Sequence, residues 1–312
     1  MMIYLPCFAR WFILLCVLIC SSVMPRALLA QSRPSTTDTA SYNQANTLLW
    51  RISGSGLPQS SYVFGTMHLL CPDDAPVTDE MIQALRSSEQ LVLELDMDAP
   101  DFAKRTRRAS QLPMGVSLRR LLKQREFNVL KQFFRERLNQ SIWAYVSVYP
   151  VLTESVVYST ALSCTPVSYE LKLMELAKAQ SKEVEGLETV EWQMASLQRA
   201  TPKQQAKSLV RAVLAYDSIP PLMQQLVTTY RQQNVDALYR MATDPRLGTN
   251  QAETADLAVR NQDWIPKMKT WMAARPSFFA VGAAHLGGAT GVLQLLRQQG
   301  YKIEPVVVPL RP

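Results

Sequence analysis

Tyr62-Val63-Phe64-Gly65-Thr66-Met67-His68 is a short apolar run closed by a glycine and, three residues later, an imidazole. Phe279-Ala280-Val281-Gly282-Ala283-Ala284-His285 repeats the phrase near the other end of the chain. These are the only two histidines in 312 residues. With 11 glycines present, both landing three residues after one is a chance of roughly one in a thousand. Each phrase reads as a strand, a glycine (Gly65, Gly282) where the backbone turns or comes close to something, and a histidine delivered at the strand end. A lone histidine is usually structural. Two in one duplicated context point to a shared metal or catalytic site, because neutral imidazole is the commonest metal ligand and a frequent general base.

Around these phrases the chain alternates elements as an α/β (or α+β) protein does. Residues 48–52 and 62–65 read as a hairpin turned at Gly54, Gly56 and Pro58. Thr78 caps a helix whose first residues, Asp79 and Glu80, complement its positive end. Residues 91–96 form a buried strand in which alternate positions place Glu94 and Asp96 on one face. Helices are expected over 118–138, 153–162 and 168–180, then a strand over 183–189 with Glu188 at or near its end. Thr201-Pro202 opens a further helix as N-cap and first-turn proline, and others follow over 222–231, 235–242 and 253–264. Residues 278–281, 291–299 and 303–308 close the chain as a β-α-β unit. The expected architecture is two α/β halves sharing a central mixed sheet, each ending a strand in Gly-x-x-His, with a large helical insertion between them. It forms a single domain over residues 47–312.

The start of the chain reads differently. Residues 11–23 are almost unbroken apolar, after Arg10 and before Ala27-Leu28-Leu29-Ala30, which is the pattern of a secretory signal. Cleavage after Ala30 and retention as a membrane anchor are both open, and residues 31–46 are a polar, disordered linker. The expectation is an exported protein, periplasmic or extracellular, with no membrane contact beyond that segment. Cys7, Cys16 and Cys20 fall within the signal, leaving Cys71 and Cys164. Two cysteines in an exported chain suggest one disulfide; a cysteine ligand or nucleophile is the competing reading. The formal charge of +7 drops to +5 without Arg10 and Arg26. Its densest stretch runs from Arg105 to Arg125 with leucines at helical spacing, and is expected to be a solvated helix face rather than a nucleic-acid or anionic-surface site.

Two imidazoles and one or two carboxylates make a sufficient shell for a catalytic divalent metal with an open position. His68, His285 and Glu94 are the expected ligands. Glu188 is a further ligand or the general base, unless it only caps the helix that follows. Arg260-Asn261 is a polar pair in an amphipathic helix, fit to stabilise an oxyanion or hold a substrate carboxylate, or simply exposed. No Gly-x-Ser-x-Gly elbow appears, which disfavours a serine hydrolase.

Leu49-Trp50-Arg51-Ile52-Ser53-Gly54, Gly65-Thr66-Met67-His68, Leu93-Glu94-Leu95-Asp96, Gly186-Leu187-Glu188-Thr189, Arg260-Asn261 and Val281-Gly282-Ala283-Ala284-His285-Leu286 occur in one order. Together they resemble the TraB/GumN family. The resemblance implies a relation to the Tiki metalloproteases and, more distantly, to the erythromycin-esterase-like hydrolases. It supports His68, His285 and Glu94 as site residues, with Glu188 and Arg260 as companions. The Cys71 and Cys164 pair, with Ser168-Tyr169-Glu170-Leu171, resembles a bacterial exported branch. The resulting expectation is an exported metal-dependent hydrolase, peptidase-like, acting on a peptide or a small ester or amide through water on zinc, manganese or cobalt. The alternative is a regulatory protein of the same fold that binds metal or peptide without turnover.

Overall fold

The computed structural model describes residues 45–244 and 251–309, with the side chains of residues 251–255 left aside. The expected signal and nearly all of the linker lie outside them. The described residues hold one six-stranded sheet: Leu49–Ser53 (β1), Ser61–Thr66 (β2), Gln90–Leu95 (β3), Glu183–Glu188 (β4), Ser277–Gly282 (β5) and Lys302–Val306 (β6), in the order β4-β3-β5-β2-β1-β6. β1 pairs antiparallel with β2 and with β6, while β2, β5, β3 and β4 pair in parallel. Every position of β3 and β5 is buried, as expected of central strands covered on both faces. The edge strands carry charge instead. Glu304 of β6 takes Arg51 at 2.7 Å, and Glu183 of β4 takes Arg275 at 2.6 Å, which blunts both edges against further pairing.

The expected hairpin is present, with Gly54, Ser55 and Gly56 all at positive φ in its turn. β5 and β6 are the ends of the expected β-α-β unit, and β2 and β1 lie between them in the sheet.

The described α-helices are Asp79–Arg86 (α1), Phe102–Ala109 (α2), Leu118–Leu121 (α3), Gln124–Leu138 (α4), Pro150–Ser159 (α5), Tyr169–Ala179 (α6), Val190–Leu197 (α7), Pro202–Leu214 (α8), Ile219–Arg231 (α9), Val235–Thr243 (α10), Gln251–Ala274 (α11) and Val292–Gln298 (α12), with short 3-10 turns between some of the elements. Thr78 and Thr201 cap α1 and α8 as their sequences announce. The single helix expected over 118–138 is two, because Leu122 and Lys123 are extended and the Lys123 backbone N–H donates to Glu126, restarting the helix. The helix expected over 253–264 runs on to Ala274 through Pro266. That over 153–162 starts earlier, with Pro150 in its first turn.

Leu49, Phe64, Leu91, Phe278, Leu173 and Trp264 belong to the core that packs helices on the sheet. A second core, with Phe127, Phe134, Tyr158 and Leu209, lies inside the helical insertion. A third, with Leu95, Phe102, Leu152, Val190 and Met194, fastens that insertion over the carboxyl ends of β3 and β4. β4 comes close to its neighbour at Gly186, where an added Cβ would lie 2.2 Å from the Asp96 nitrogen and 2.8 Å from the Leu95 carbonyl carbon. Those atoms are backbone and cannot rotate away. Gly186→Ala is therefore expected to cost about 1–3 kcal/mol in a urea unfolding experiment; a neutral result would mean that the β3–β4 contact is looser than described.

Candidate functional site

The carboxyl ends of β2, β3, β4 and β5 lie side by side, the place where open α/β sheets present ligand sites. Each delivers one of the expected side chains: His68 just beyond β2, Glu94 near the end of β3, Glu188 at the end of β4, and His285 in the turn after β5. Because β2 and β5 are neighbours with Thr66 opposite Gly282, the two Gly-x-x-His phrases leave the sheet together. The two imidazoles are close enough to influence each other's protonation.

Gly65 serves approach rather than turning, whereas Gly282 stands where β5 gives way to the helical turn that carries His285. A Cβ on Gly65 would stand 3.0 Å from Ala283 of the second phrase and from Leu286. The Gly282 N–H donates to Glu94 Oε1 at 2.8 Å.

Arg260 sits at the centre. Its Nε and Nη2 donate to the two oxygens of Glu188 at 2.8 and 3.0 Å, Nη2 also donates to Glu94 Oε2 at 2.7 Å, and Nη1 lies 3.3 Å from His285 Nε2. Arg260, Asn261 and His285 are buried, which decides against the exposed alternative for the polar pair. The cause is helical phase. Leu257, Arg260, Asn261, Trp264, Ile265, Met268 and Met272 fall on one buried stripe of α11.

Asn261 fixes the second histidine. Its amide nitrogen donates to the carbonyls of His285 and Thr290, so its oxygen faces His285 Nδ1, 2.6 Å away, and that nitrogen carries the hydrogen. Nε2 is left with a lone pair toward Arg260. Burial, and then Arg260, lower the His285 pKa to about 3, against the opposing charge of Glu94. Trp264 packs against this ring, centroids 4.3 Å apart and planes tilted by 34°, and donates its indole N–H to Glu188 at 2.7 Å.

Glu94 also accepts from Gln193 Nε2 at 3.1 Å. Burial would raise its pKa, but Arg260, with the histidines and Gly282, holds it down to about 2. Burial wins at Glu188, which is raised despite Arg260. Glu188 does not cap α7, since Thr189 does.

His68 meets a partner that the sequence reading did not place in the site. Its Nδ1 lies 2.8 Å from Glu170 Oε1, an ion pair whose approach is off the ideal hydrogen-bond line. Ser168 donates to the other oxygen of Glu170. Burial would lower the His68 pKa, yet Glu170 and, further off, Glu94 raise it to about 9. The only signal for Glu170 is its phase, an acid on the apolar stripe of α6, beside Tyr169 and three residues before Leu173. Gln193 likewise sits between Val190 and Met194 on the buried side of α7. Asp96 lies past the end of β3 and accepts from the Ala99 N–H at 3.1 Å, in a loop outside this hydrogen-bonded cluster. Cys71 and Cys164 form the expected disulfide rather than ligands.

The residues do not fit a divalent ion in this arrangement. Both oxygens of Glu94 and of Glu188 are engaged, and a guanidinium occupies the space where an ion would reach Glu94 and His285. Among the described residues no three His, Cys, Asp or Glu side chains are disposed to hold a metal.

Fold and site thus define an open α/β protein with a buried cluster of His285, Glu94, Glu188 and Arg260 at its carboxyl edge, and the partly exposed His68 beside it. The chain belongs to the TraB/PrgY/gumN family, whose sequence profile matches residues 48–305. No curated protein and no solved structure matched the chain.

The two imidazoles make a direct spectroscopic prediction. With only two histidines present, the imidazole spectrum holds two sets of resonances: one should titrate near pH 9, the other stay neutral down to about pH 3. Stability follows. The unfolded histidines titrate near 6.5, so His68 stabilises below that pH and loses its contribution as pH rises toward about 9. His285, buried neutral, weakens the fold as pH falls from 6.5 toward about 3. Each limb approaches roughly 1.4 kcal/mol per pH unit, placing maximal stability near pH 6.5. Two histidines that both titrate near 6.5 would falsify this electrostatic picture.

Proposed function

We propose that the protein is an exported hydrolase that cleaves an amide or ester bond at the carboxyl edge of its sheet. One observation carries the reading: two histidines from neighbouring parallel strands each have Nδ1 held by a side-chain oxygen, Glu170 for His68 and Asn261 for His285, beside a buried Glu94–Arg260–Glu188 triad. The disulfide agrees with an oxidising compartment, and among the described residues no helix is long and apolar enough to cross a membrane.

The environments drive the two imidazoles toward opposite protonation states, the mark of an acid and a base set apart by their surroundings. His68, held charged beside Glu170, is the donor to the leaving group. His285, held neutral with its lone pair on Nε2, is the acceptor for the proton of an attacking water. Arg260 weakens that acceptor while it donates to Nε2. A developing oxyanion that draws the guanidinium toward itself gains a charge-assisted donor and restores basicity to His285. Glu94 and Glu188 hold Arg260 ready and Trp264 supports the imidazole from below.

A metal-dependent form of the same hydrolase is the second reading. It is favoured by the same two Nδ1 contacts, because metal-ligating histidines characteristically have the other ring nitrogen held by an oxygen. A metal carried by His68, His285 and Glu94 would supply an activated water and a Lewis acid. It requires Arg260 to leave Glu94 and His285.

The test is turnover on peptide and ester libraries by the purified protein, as isolated, after chelation, and after reloading with zinc, manganese or cobalt. His68→Ala and His285→Ala are each expected to lower kcat by about 100-fold or more, the range of a lost proton-transfer group. Activity lost on chelation and regained with one metal selects the second reading. Full activity in both variants sinks the site assignment, and a retained peptide that is never cleaved indicates the non-catalytic binding protein.

A further inference from the structure

The charge of this molecule is concentrated in one place. Residues 101–137 carry eleven Lys and Arg against three Asp and Glu, a net +8, while the whole chain carries +7. Everything outside this segment is therefore close to neutral, at −1. The segment comprises α2, α3 and α4 with their connections, the outer part of the helical insertion, and nine of its eleven basic residues are exposed.

Two large apolar side chains stand out of the same surface. Met114 is fully exposed in the turn before α3, and Trp143 is 55 % exposed. Their neighbours are fixed by contacts. Arg120 donates to the Gly115 carbonyl at 2.7 Å, tying α3 to the Met114 turn. Trp143 packs on Phe127 of α4 with ring centroids 5.2 Å apart, and the Arg119 guanidinium lies over that same phenyl ring at 5.4 Å. Leu112 and Leu118, on either side of the turn, donate to the Ser147 and Val146 carbonyls, a few residues beyond Trp143. Met114, Arg119, Arg120 and Trp143 thus belong to one contiguous patch, with Lys123 and Arg125 exposed where α4 begins.

We propose that this face docks the protein on an anionic lipid bilayer. A long unbranched thioether and an indole, set among guanidinium and ammonium groups, are what an interfacial anchor requires. Trp settles at the headgroup level, apolar side chains enter the acyl boundary, and each cation gains from the negative surface potential. The long basic stems can lie along that boundary with their charges in water. Nucleic acid satisfies the charge but offers the exposed methionine nothing, and among the described residues this face carries no row of exposed aromatic rings to stack successive bases. The inference is independent of whether the buried cluster catalyses hydrolysis.

The test uses the full chain as isolated after export, mixed with phosphatidylcholine vesicles with or without about a third phosphatidylglycerol. Binding is expected only to the anionic vesicles and should be largely lost in about 0.5 M salt. Reversing the two exposed charges, K123E with R125E, should weaken it at least about thirtyfold, and Met114→Ser should weaken it severalfold, both with unchanged thermal unfolding. Brominated phosphatidylglycerol should quench tryptophan emission in the native chain, and Trp143→Phe should lower that quenching, to nothing where the amino-terminal segment is gone and to the share of Trp11 where it is retained. The quenching difference reads this face even if the apolar amino-terminal segment stays attached and holds every variant on the vesicles. Equal binding to both vesicle types with no Trp143 quenching overturns the proposal. So does a charge-reversed variant that binds and quenches as the native chain does, or a DNA duplex bound more tightly than the anionic vesicle.

Discussion

Replacing Arg260 by leucine is expected to lower folding stability by about 3–5 kcal/mol, the cost of breaking a buried ion pair from one side. Arg260 is 6 % exposed and its guanidinium donates to both Glu94 and Glu188. Its loss leaves two carboxylates with little water and a diminished set of donors: Gln193 and Gly282 for Glu94, Trp264 for Glu188. Both would recover by taking up protons. Glu94, held near pKa 2 in the native chain, would rise well above that value, so the deficit should shrink as pH falls toward 5. Arg260→Lys should recover only part of the stability, because an ammonium lacks the planar fork that reaches two carboxylates at once. Urea unfolding at pH 7.5 and at pH 5 measures both effects. A deficit below about 1 kcal/mol, or one that does not change with pH, would mean that the two glutamates do not depend on Arg260.

Loss of the Cys71–Cys164 bridge should have a comparable effect by another route. The bridge spans 93 residues of sequence, and on the chain-entropy view closing a loop of that length removes about 4–5 kcal/mol worth of freedom from the unfolded chain. Cys71→Ser with Cys164→Ser should therefore unfold at a distinctly lower urea concentration. The native chain in reductant should match the double variant. The consequence reaches the site, because Leu70 and Val167 exchange two backbone hydrogen bonds beside the bridge, at 3.1 and 2.8 Å. His68 lies two residues before this clamp and Glu170 three residues after it. In the double variant the His68 imidazole is expected to drop from about 9 toward its ordinary value as its hold on Glu170 loosens. An unchanged His68 titration would show that the clamp survives without the bridge.

Much of the site was legible because its parts sit at the ends of regular elements. Gly65 to His68 and Gly282 to His285 announced two strand ends, and Glu94 and Glu188 fell at the ends of two more. Arg260 and Asn261 were visible as a polar pair. Their burial was not, because it depends on the phase of α11 against the sheet. Glu170 and Gln193 escaped for the same reason: an acid or amide on an apolar stripe looks like a surface residue until the stripe has a neighbour. The break between α3 and α4 was missed because the apolar spacing continues across Leu122 while the backbone does not. Asp96 was aligned with Glu94 by strand alternation, and the strand ends before that alternation applies.

The sequence by itself determined the mixed α/β class, the hairpin, the helix caps, the cysteine pair and the four strand ends that carry the site, because those depend on local periodicity and on a few residues with special geometry. Tertiary structure alone decided which strands are neighbours, and so that the two histidines come within electrostatic reach of each other. It alone placed Arg260 between two glutamates and a histidine, and gave the imidazoles opposite protonation states. Those outcomes depend on burial and on charges brought together from residues 68 to 285, and the energy of a charge is set by what surrounds it in space rather than along the chain.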